Sequence, residues 1–357
     1  MDRRSFLLSG AAALLASELP GIAGIPSAPL AASPAMAAAE RRKKSGTVPA
    51  AEDFTRRITR DFQPLPPLKV KEIDIKVGAE SPFSVLHVSD THLTRVDNRD
   101  DEAKMRLAAG RSRWAAWGEH YLDEAIRYAA DRGMYMMHTG DLCDFVSEAN
   151  LDSAALHLGA ADWFVSAGNH EYSKYVGEAR EDEAYKADSR DKVQGAFPND
   201  LTFASRIIGG VNFVSLDDVY YNITEAQHAQ MEAEMKKGLP VVMLCHVPLY
   251  TPKHCAYELE QTKGNCAYMT GAPLEITSKF DNGATYPAGQ EWRYRAVQQK
   301  ADKPTLAFIA WLKEQKLLKA ILCGHMHHFF EEPFSKTAVQ YTVDATYRGG
   351  VQAIHFR

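Results

Sequence analysis

Five short polar segments, each directly after an apolar run typical of a β-strand, constrain this chain more than any other feature. The apolar runs read FSVLHVS, MYMMHT, DWFVSA, PVVMLC and LKAILC. The segments that follow them are Asp90-Thr91-His92, Gly140-Asp141, Gly168-Asn169-His170-Glu171, His246 and Gly324-His325-Met326-His327. Strands that alternate with helices form βαβ units, and these collect their ligands at the carboxyl ends of the strands. The sequence therefore predicts an α/β fold with one polar site built from five strand ends.

The donor atoms in these segments are those that hard and borderline divalent cations prefer. Asp90 and Asp141 supply carboxylate oxygen, and Asn169 supplies a neutral amide oxygen. Imidazole nitrogen comes from four histidines: His92, His246, His325 and His327. Because a lone carboxylate such as that of Asp141 can bridge two cations, the donor set predicts a binuclear metal centre.

This pattern resembles the calcineurin-like metallophosphoesterase superfamily. The motifs of that superfamily, D-x-H, GD-x-x, GNH-[DE], a lone H and GH-x-H, occur here in that order over residues 90–327. The resemblance implies an α/β fold with a two-sheet β-sandwich flanked by helices, and a dinuclear site at the C-terminal strand ends. It also implies hydrolysis of phosphomonoesters or phosphodiesters by two divalent or mixed-valence ions, such as Mn, Fe or Zn. Two such ions can clamp the attacking and leaving oxygens and supply a bridging hydroxide as the nucleophile.

The resemblance also assigns a role to each site residue. One ion would be held by Asp90, His92 and His327, the other by Asn169, His246 and His325, with Asp141 shared. His170 matches a histidine that is not a ligand, and it could protonate the leaving alkoxide or stabilise charge on phosphorus. Glu171 and Asp144 would orient His170 or tune its protonation.

The N-terminal residues 1–39 have the composition of an export signal. Arg3 and Arg4 precede a moderately apolar run, and a stretch rich in Pro, Ala and Ser follows. The apolar run is too short to span a bilayer, and the arginine pair resembles the twin-arginine signal for export of folded proteins. We therefore expect the export machinery as a partner, a periplasmic or secreted location, and no transmembrane span in the mature chain.

The rest of the chain divides into a leader and one catalytic domain. Residues 40–69 are basic and then rich in proline, and residues 70–357 are expected to form the metallophosphoesterase domain. Within that domain we expect insertions near 95–120 and 249–303, because the spacing from His92 to Asp141 is long and the segments 171–200 and 249–303 are longer than connections require. The second of these, with Trp292, is expected to cover the site as a lid. A single helix is expected over 102–131.

Other histidines and cysteines have less specific interpretations. His87 and His138 lie inside apolar strands and are expected to be core histidines, and His328 is expected to support His327 or to pack. Cys143, Cys245 and Cys323 are expected to be buried packing residues. A disulfide between Cys255 and Cys266 is left open, because an oxidising compartment would permit it.

The function has two alternatives to a small-substrate phosphoesterase. A nuclease of the same fold would need a basic groove, and the formal net charge of −5 argues against a stable nucleic-acid partner. A binding protein that holds metal without turnover would not need His170. The sequence thus favours a small phosphoester as the substrate.

Overall fold

The strands form two mixed sheets. The structure is a computed structural model that describes residues 65–79, 81–176, 182–264, 266–280 and 299–357. Its strands are β1 (Lys69–Ile75), β2 (Phe83–Val88), β3 (Tyr135–Thr139), β4 (Trp163–Ser166), β5 (Phe203–Ile208), β6 (Val211–Leu216), β7 (Val241–Leu244), β8 (Leu318–Cys323), β9 (Phe330–Pro333), β10 (Val339–Thr342) and β11 (Gly350–Phe356). Among the described residues, the first sheet has the order β1-β11-β2-β3-β4 and the second has the order β5-β6-β7-β8-β10-β9.

Parallel pairing dominates the centre of each sheet. In the first sheet β2, β3 and β4 run parallel, while β11 pairs antiparallel with β2 and parallel with β1. In the second sheet β6, β7, β8 and β10 run parallel, and β5 and β9 pair antiparallel at the two edges. The carboxyl ends of the parallel strands β2, β3, β4, β7 and β8 each lead into one of the five polar segments.

Helices cover the outer faces of the sheets. They are α1 (Glu102–Arg111), α2 (Gly118–Arg132), α3 (Glu148–Leu158), α4 (Asn169–Tyr172), α5 (Glu183–Gln194), α6 (Glu225–Met235), α7 (Pro252–Gln261), α8 (Leu274–Thr277) and α9 (Lys303–Lys313), with a 3-10 helix at Thr346–Arg348. No helix among the described residues is both long enough and apolar enough to cross a membrane.

Three apolar layers hold the fold together. Between the sheets, Val85, Phe164 and Phe356 of the first sheet pack with Phe213 and Leu244 of the second. A second cluster joins the outer face of the first sheet to α2 and α3, and a third joins the second sheet to α6 and α9. Burial of apolar surface on both faces explains why the strands read as continuous apolar runs. The expected two-sheet sandwich flanked by helices is confirmed.

The expected single helix over 102–131 is wrong. The chain forms α1 and α2 with a break at residues 112–117. At the start of α2, a Cβ on Gly118 would lie 2.1 Å from the carbonyl oxygen of Thr91, so this turn sits directly against the first polar segment. Arg111 at the end of α1 contacts Asp144 in the loop after β3. The insertion is therefore folded back onto the site.

The second insertion contains α7 and α8, and Cys255 and Cys266 are both buried in one small apolar cluster there. Trp292 lies outside the described residues, and so do residues 1–64, which hold the expected export signal and most of the leader. β1 begins at Lys69, at the edge of the first sheet, where the alternating sequence predicts an edge strand.

Candidate binuclear metal centre

The loops after the strands place their donor residues by an unusual backbone conformation. Asp90, His92, Asp141, His325 and His327 all have positive φ, between 53° and 68°. Residues other than glycine rarely adopt this region, and it costs on the order of 1–3 kcal/mol per residue. Five such residues after three different strands indicate that the surrounding contacts hold these loops in a strained conformation. Strain of this kind is typical of functional sites.

The glycines of the motifs allow these loops to approach one another closely. A Cβ on Gly324 would lie 1.9 Å from Ser89 Oγ and 2.4 Å from Asp90 Oδ2. A Cβ on Gly168 would lie 2.2 Å from Asp141 Oδ1. Only glycine fits at these two positions, which explains why each motif joins a glycine to a donor residue.

Asp90, His92 and His327 form the first group of donor atoms. Asp90 Oδ1 lies 3.1 Å from His327 Nε2 and 3.8 Å from His92 Nε2, and the two imidazole nitrogens lie 3.3 Å apart. Asp90 and His92 are fully buried. The three atoms thus enclose a space into which a cation would fit.

Asp141, His246 and His325 form the second group, with Asn169 beside it in the GNH loop. His246 Nε2 lies 3.3 Å from Asp141 Oδ2 and 3.1 Å from His325 Nδ1. Asn169 Oδ1 is buried and accepts no hydrogen bond. A buried acceptor without a partner is costly, and a cation would satisfy it. The residues therefore fit two metal ions.

Asp141 lies between the two groups. Its Oδ2 atom is 3.3 Å from His246 Nε2 and 3.8 Å from His92 Nε2. Its other oxygen, Oδ1, accepts a hydrogen bond from the His170 amide at 2.9 Å. This position suits a carboxylate shared by two cations.

Hydrogen bonds fix which nitrogen of each imidazole is available. Nδ1 of His246 lies 2.6 Å from the carbonyl oxygen of Thr139, and Nδ1 of His92 lies 2.8 Å from Asp144 Oδ1. Because a carbonyl or carboxylate oxygen only accepts, each Nδ1 carries a proton, and in the neutral ring that binds a metal each Nε2 presents its lone pair to the site.

The carboxylates make the centre attractive to positive charge. Burial opposes protonation of His246, but Asp141 and Asp90 overcome it and raise the pKa of His246 to about 10. Burial likewise opposes protonation of His92, and the nearby carboxylates raise its pKa to about 9. A site that favours protons this strongly also favours metal cations, which replace the protons on binding.

His170 lies beside the donor groups. Its Nδ1 atom donates to the carbonyl oxygen of Asp144 at 2.7 Å, so Nε2 is directed inward, 3.9 Å from Asp141 Oδ2. Burial lowers the pKa of His170. The side chain is 14% exposed, so it is not completely enclosed by the protein.

Asp144 and Glu171 support the site in different ways. Asp144 contacts His170, as expected from the sequence, and it also contacts His92, which the sequence did not predict. The hydrogen bonds of Glu171 go instead to the backbone amides of Asp141, Cys143 and Gly168, at 2.7–2.9 Å. Burial and the charge of Asp141 raise the pKa of Glu171 to about 7. Glu171 therefore joins the Asp141 and Asn169 loops through the backbone, a role that the motif alone does not predict.

The insertion contributes two residues that were not predicted as site residues. Arg111 donates to both oxygens of Asp144 at 2.6 Å and lies 4.6 Å from the Trp114 ring. Trp114 packs 4.9 Å from the His92 ring and 4.2 Å from that of Tyr347. The abundance of Arg and Trp in residues 95–120 is the sequence feature that could have identified them. Arg95 and Arg99, which precede α1, pair with Glu119 and with Asp152, and Arg106 on α1 pairs with Glu102.

The two strand histidines are core residues, as expected. His87 pairs with Gln352 and Thr139 at 2.9 Å, and His138 pairs with Thr91 at 3.0 Å. Cys143, Cys245 and Cys323 are buried, as expected.

Two sheets with a candidate two-metal site at their strand ends define the class of protein. Residues 83–329 match the family described as calcineurin-like phosphoesterase. The chain belongs to this family and is a metal-dependent phosphoester hydrolase. The assignment of individual metal ligands stays a prediction.

Solved structures with a similar fold include a dimetal phosphatase from Danio rerio, at 14% identity and a TM-score of 0.41, covering 74% of this chain and 88% of that one. A putative 5′-nucleotidase from Staphylococcus aureus shares 13% identity at a TM-score of 0.38, and the match covers 77% of this chain and 51% of that one. The phosphopantetheinyl hydrolase of Mycobacterium tuberculosis shares 11% identity at a TM-score of 0.33, and the match covers 77% of this chain and 91% of that one. No protein of curated function matches this sequence.

Proposed function

We propose that this protein is an exported phosphoesterase that hydrolyses small phosphomonoesters or phosphodiesters with two bound divalent cations, of Mn, Fe or Zn. The observation that carries the proposal is the buried Asn169 Oδ1, which has no hydrogen-bond partner and lies in the loop whose next residue, His170, donates its amide to Asp141 Oδ1 at 2.9 Å. Neutral amide oxygen, imidazole and carboxylate together suit these metals.

Each donor group would hold one ion. Asp90, His92 and His327 would bind the first, and Asn169, His246 and His325 would bind the second, with Asp141 shared. When bound, the pair of ions supplies an activated hydroxide and stabilises charge on the phosphoryl oxygens.

His170 would act on the leaving group. Its Nδ1 proton is committed to the Asp144 carbonyl, so Nε2 alone can exchange a proton with substrate. Asp144 keeps the ring in this orientation through a second contact, 3.4 Å from Nδ1 to Oδ1. A protonated Nε2 would donate to the departing alkoxide.

The rim of the site favours a small substrate with a flat leaving group. Trp114 is 42% exposed, and its ring lies 5.6 Å from the His327 ring. A planar part of the substrate could contact the exposed part of this ring while its phosphate reaches the donor atoms. Arg111, held by Asp144 and Trp114, adds a positive charge near the phosphate path.

The test is a panel of esters with metal-loaded protein. Nucleotides, sugar phosphates, phospholipid head groups, aryl monoesters and diesters, and duplex DNA are each incubated with Mn²⁺, and a parallel set contains a chelator. Metal-dependent hydrolysis of a small ester supports the proposal, and faster cleavage of DNA would assign a nuclease. No hydrolysis of any ester by fully loaded protein would favour a binding protein and overturn the proposal.

The export proposal rests on the sequence of residues 1–39. We expect Arg3→Lys together with Arg4→Lys to retain the protein in the cytoplasm, since twin-arginine export depends on that pair. Fractionation of cells that express tagged wild type and variant would show this. Equal export of both would exclude the twin-arginine route.

A further inference from the structure

A separate group of metal-binding side chains lies outside the catalytic centre. His254 and Glu258 are four residues apart on α7, so they share one face of that helix. His328, directly after the GHMH motif, faces them from the loop before β9. His254 Nε2 lies 3.2 Å from His328 Nε2 and 3.5 Å from Glu258 Oε1, and the last two atoms lie 3.2 Å apart. Three donor atoms thus converge on one point.

The contacts of these residues with their surroundings leave Nε2 of His254, Nε2 of His328 and Oε1 of Glu258 facing one another. Nδ1 of His328 donates to the carbonyl oxygen of Met326 at 2.9 Å, so the Nε2 lone pair of the neutral ring points toward His254 and Glu258. Glu258 Oε1 is buried and accepts no hydrogen bond, and the whole residue is only 6% exposed. A buried carboxylate oxygen without a partner is costly unless a cation satisfies it.

The surrounding residues hold the three side chains in place. The Phe330 ring stacks on that of His254 at 4.1 Å, and the Tyr257 ring lies 5.0 Å from that of His328. Glu332 accepts hydrogen bonds from the amides of Lys253 and His254 at 3.1 and 2.9 Å, which fixes the start of α7 against β9. The site is therefore built before any ligand arrives.

We propose that His254, Glu258 and His328 bind a divalent cation of the zinc type in a third metal site. Two imidazoles and one carboxylate are a common zinc ligand set, and a water molecule can take the fourth position. The His328 side chain is 25% exposed, so the ion and its water can enter from that side. The bound ion clamps α7 to the chain directly after His327. The site is assigned from its own contacts and does not depend on the catalytic proposal.

Zinc stoichiometry in three full-length proteins tests this site. Wild type, His254→Gln and Glu260→Gln are loaded with Zn²⁺, freed of excess metal by gel filtration, and analysed by mass spectrometry for zinc per folded chain. We expect His254→Gln to bind one equivalent fewer than wild type. Glu260→Gln, which changes an exposed position of the same helix, should bind as much as wild type.

A crystal of zinc-loaded wild type gives an independent readout. Anomalous scattering at the zinc edge should show a peak within ~2.0–2.2 Å of the three donor atoms. If His254→Gln does not fold, Glu258→Gln, which keeps the shape of the side chain, replaces it and should also lose one equivalent. Equal zinc content in wild type and variant, or no anomalous peak at these atoms, would overturn the proposal. The three side chains would then be held together by a shared proton rather than by a cation.

Discussion

Asp144 Oδ1 lies 2.8 Å from Nδ1 of His92, and both side chains are buried. This contact fixes the His92 ring so that Nε2 faces the Asp90 and His327 donor atoms. The pKa of Asp144 is held well below its usual range because, although burial opposes ionisation, the Arg111 guanidinium and His92 favour the charged form. A carboxylate that remains ionised behind a ligand histidine also makes that histidine a stronger donor.

Replacing this carboxylate by an amide should weaken metal binding. Asp144→Asn keeps the shape of the side chain but removes the charge behind His92, so we expect a ~10–100-fold loss of metal affinity or activity. Titration of metal-free protein with Mn²⁺ would measure it. Arg111→Met, which removes the partner on the other side of Asp144, should weaken binding less. Equal affinities for wild type and Asp144→Asn would show that Asp144 does not tune His92.

Removing His170 should separate turnover from metal content. His170→Ala leaves every donor atom of the two groups in place, so the variant should keep its metal. Its kcat should fall by ~10²–10⁴, the usual contribution of a general acid. Metal analysis and steady-state kinetics on the same preparation would give both values. His120→Ala, at an exposed position on α2, is the matched control, and a parallel loss of metal in His170→Ala would identify His170 as a ligand instead.

Gly324 should not accept a side chain, whereas Gly110 should. In Gly324→Ala the new Cβ would collide with Ser89 and Asp90, and we expect a loss of stability of ~1–3 kcal/mol together with weaker metal binding. In Gly110→Ala nothing lies within 4 Å of the new Cβ, and alanine stabilises a helix by up to ~1 kcal/mol relative to glycine. Urea unfolding and metal titration would compare the two. Gly324→Ala with normal stability and metal binding would show that the loops can move apart.

The sequence predicts the sheets well because their signals are local. Apolar runs such as LKAILC mark buried parallel strands, and the carboxyl ends of such strands gather at one edge whatever the connections between them. For the same reason, the structure brings Asp90, Asp141 and His325 together although they lie far apart in the sequence.

Contacts that depend on tertiary packing could not be predicted in this way. Glu171 follows His170 directly, which suggested a link between their side chains, but its hydrogen bonds go to backbone amides across two loops. The helix break before Gly118 follows from the close approach to Thr91, and no local propensity encodes that approach. His254 and His328 lie in different parts of the chain, so their contact appears only after folding.

The buried histidine of β2 should make the fold sensitive to acid. Burial lowers the pKa of His87 to about 4, although Gln352 and Asp90 oppose the shift. As the pH falls below about 6.5, the unfolded chain takes up this proton before the folded chain does. The stability contributed by neutral His87 is therefore complete above pH ~6.5 and is lost progressively toward pH ~4, by ~2 kcal/mol between pH 7 and pH 5. In His87→Gln, the decline in unfolding free energy over this range should be smaller by that amount.

Urea unfolding of chelator-treated wild type, His87→Gln and the exposed control His120→Gln at both pH values would measure this difference. Parallel declines in all three proteins would show that His87 does not stay neutral in the fold.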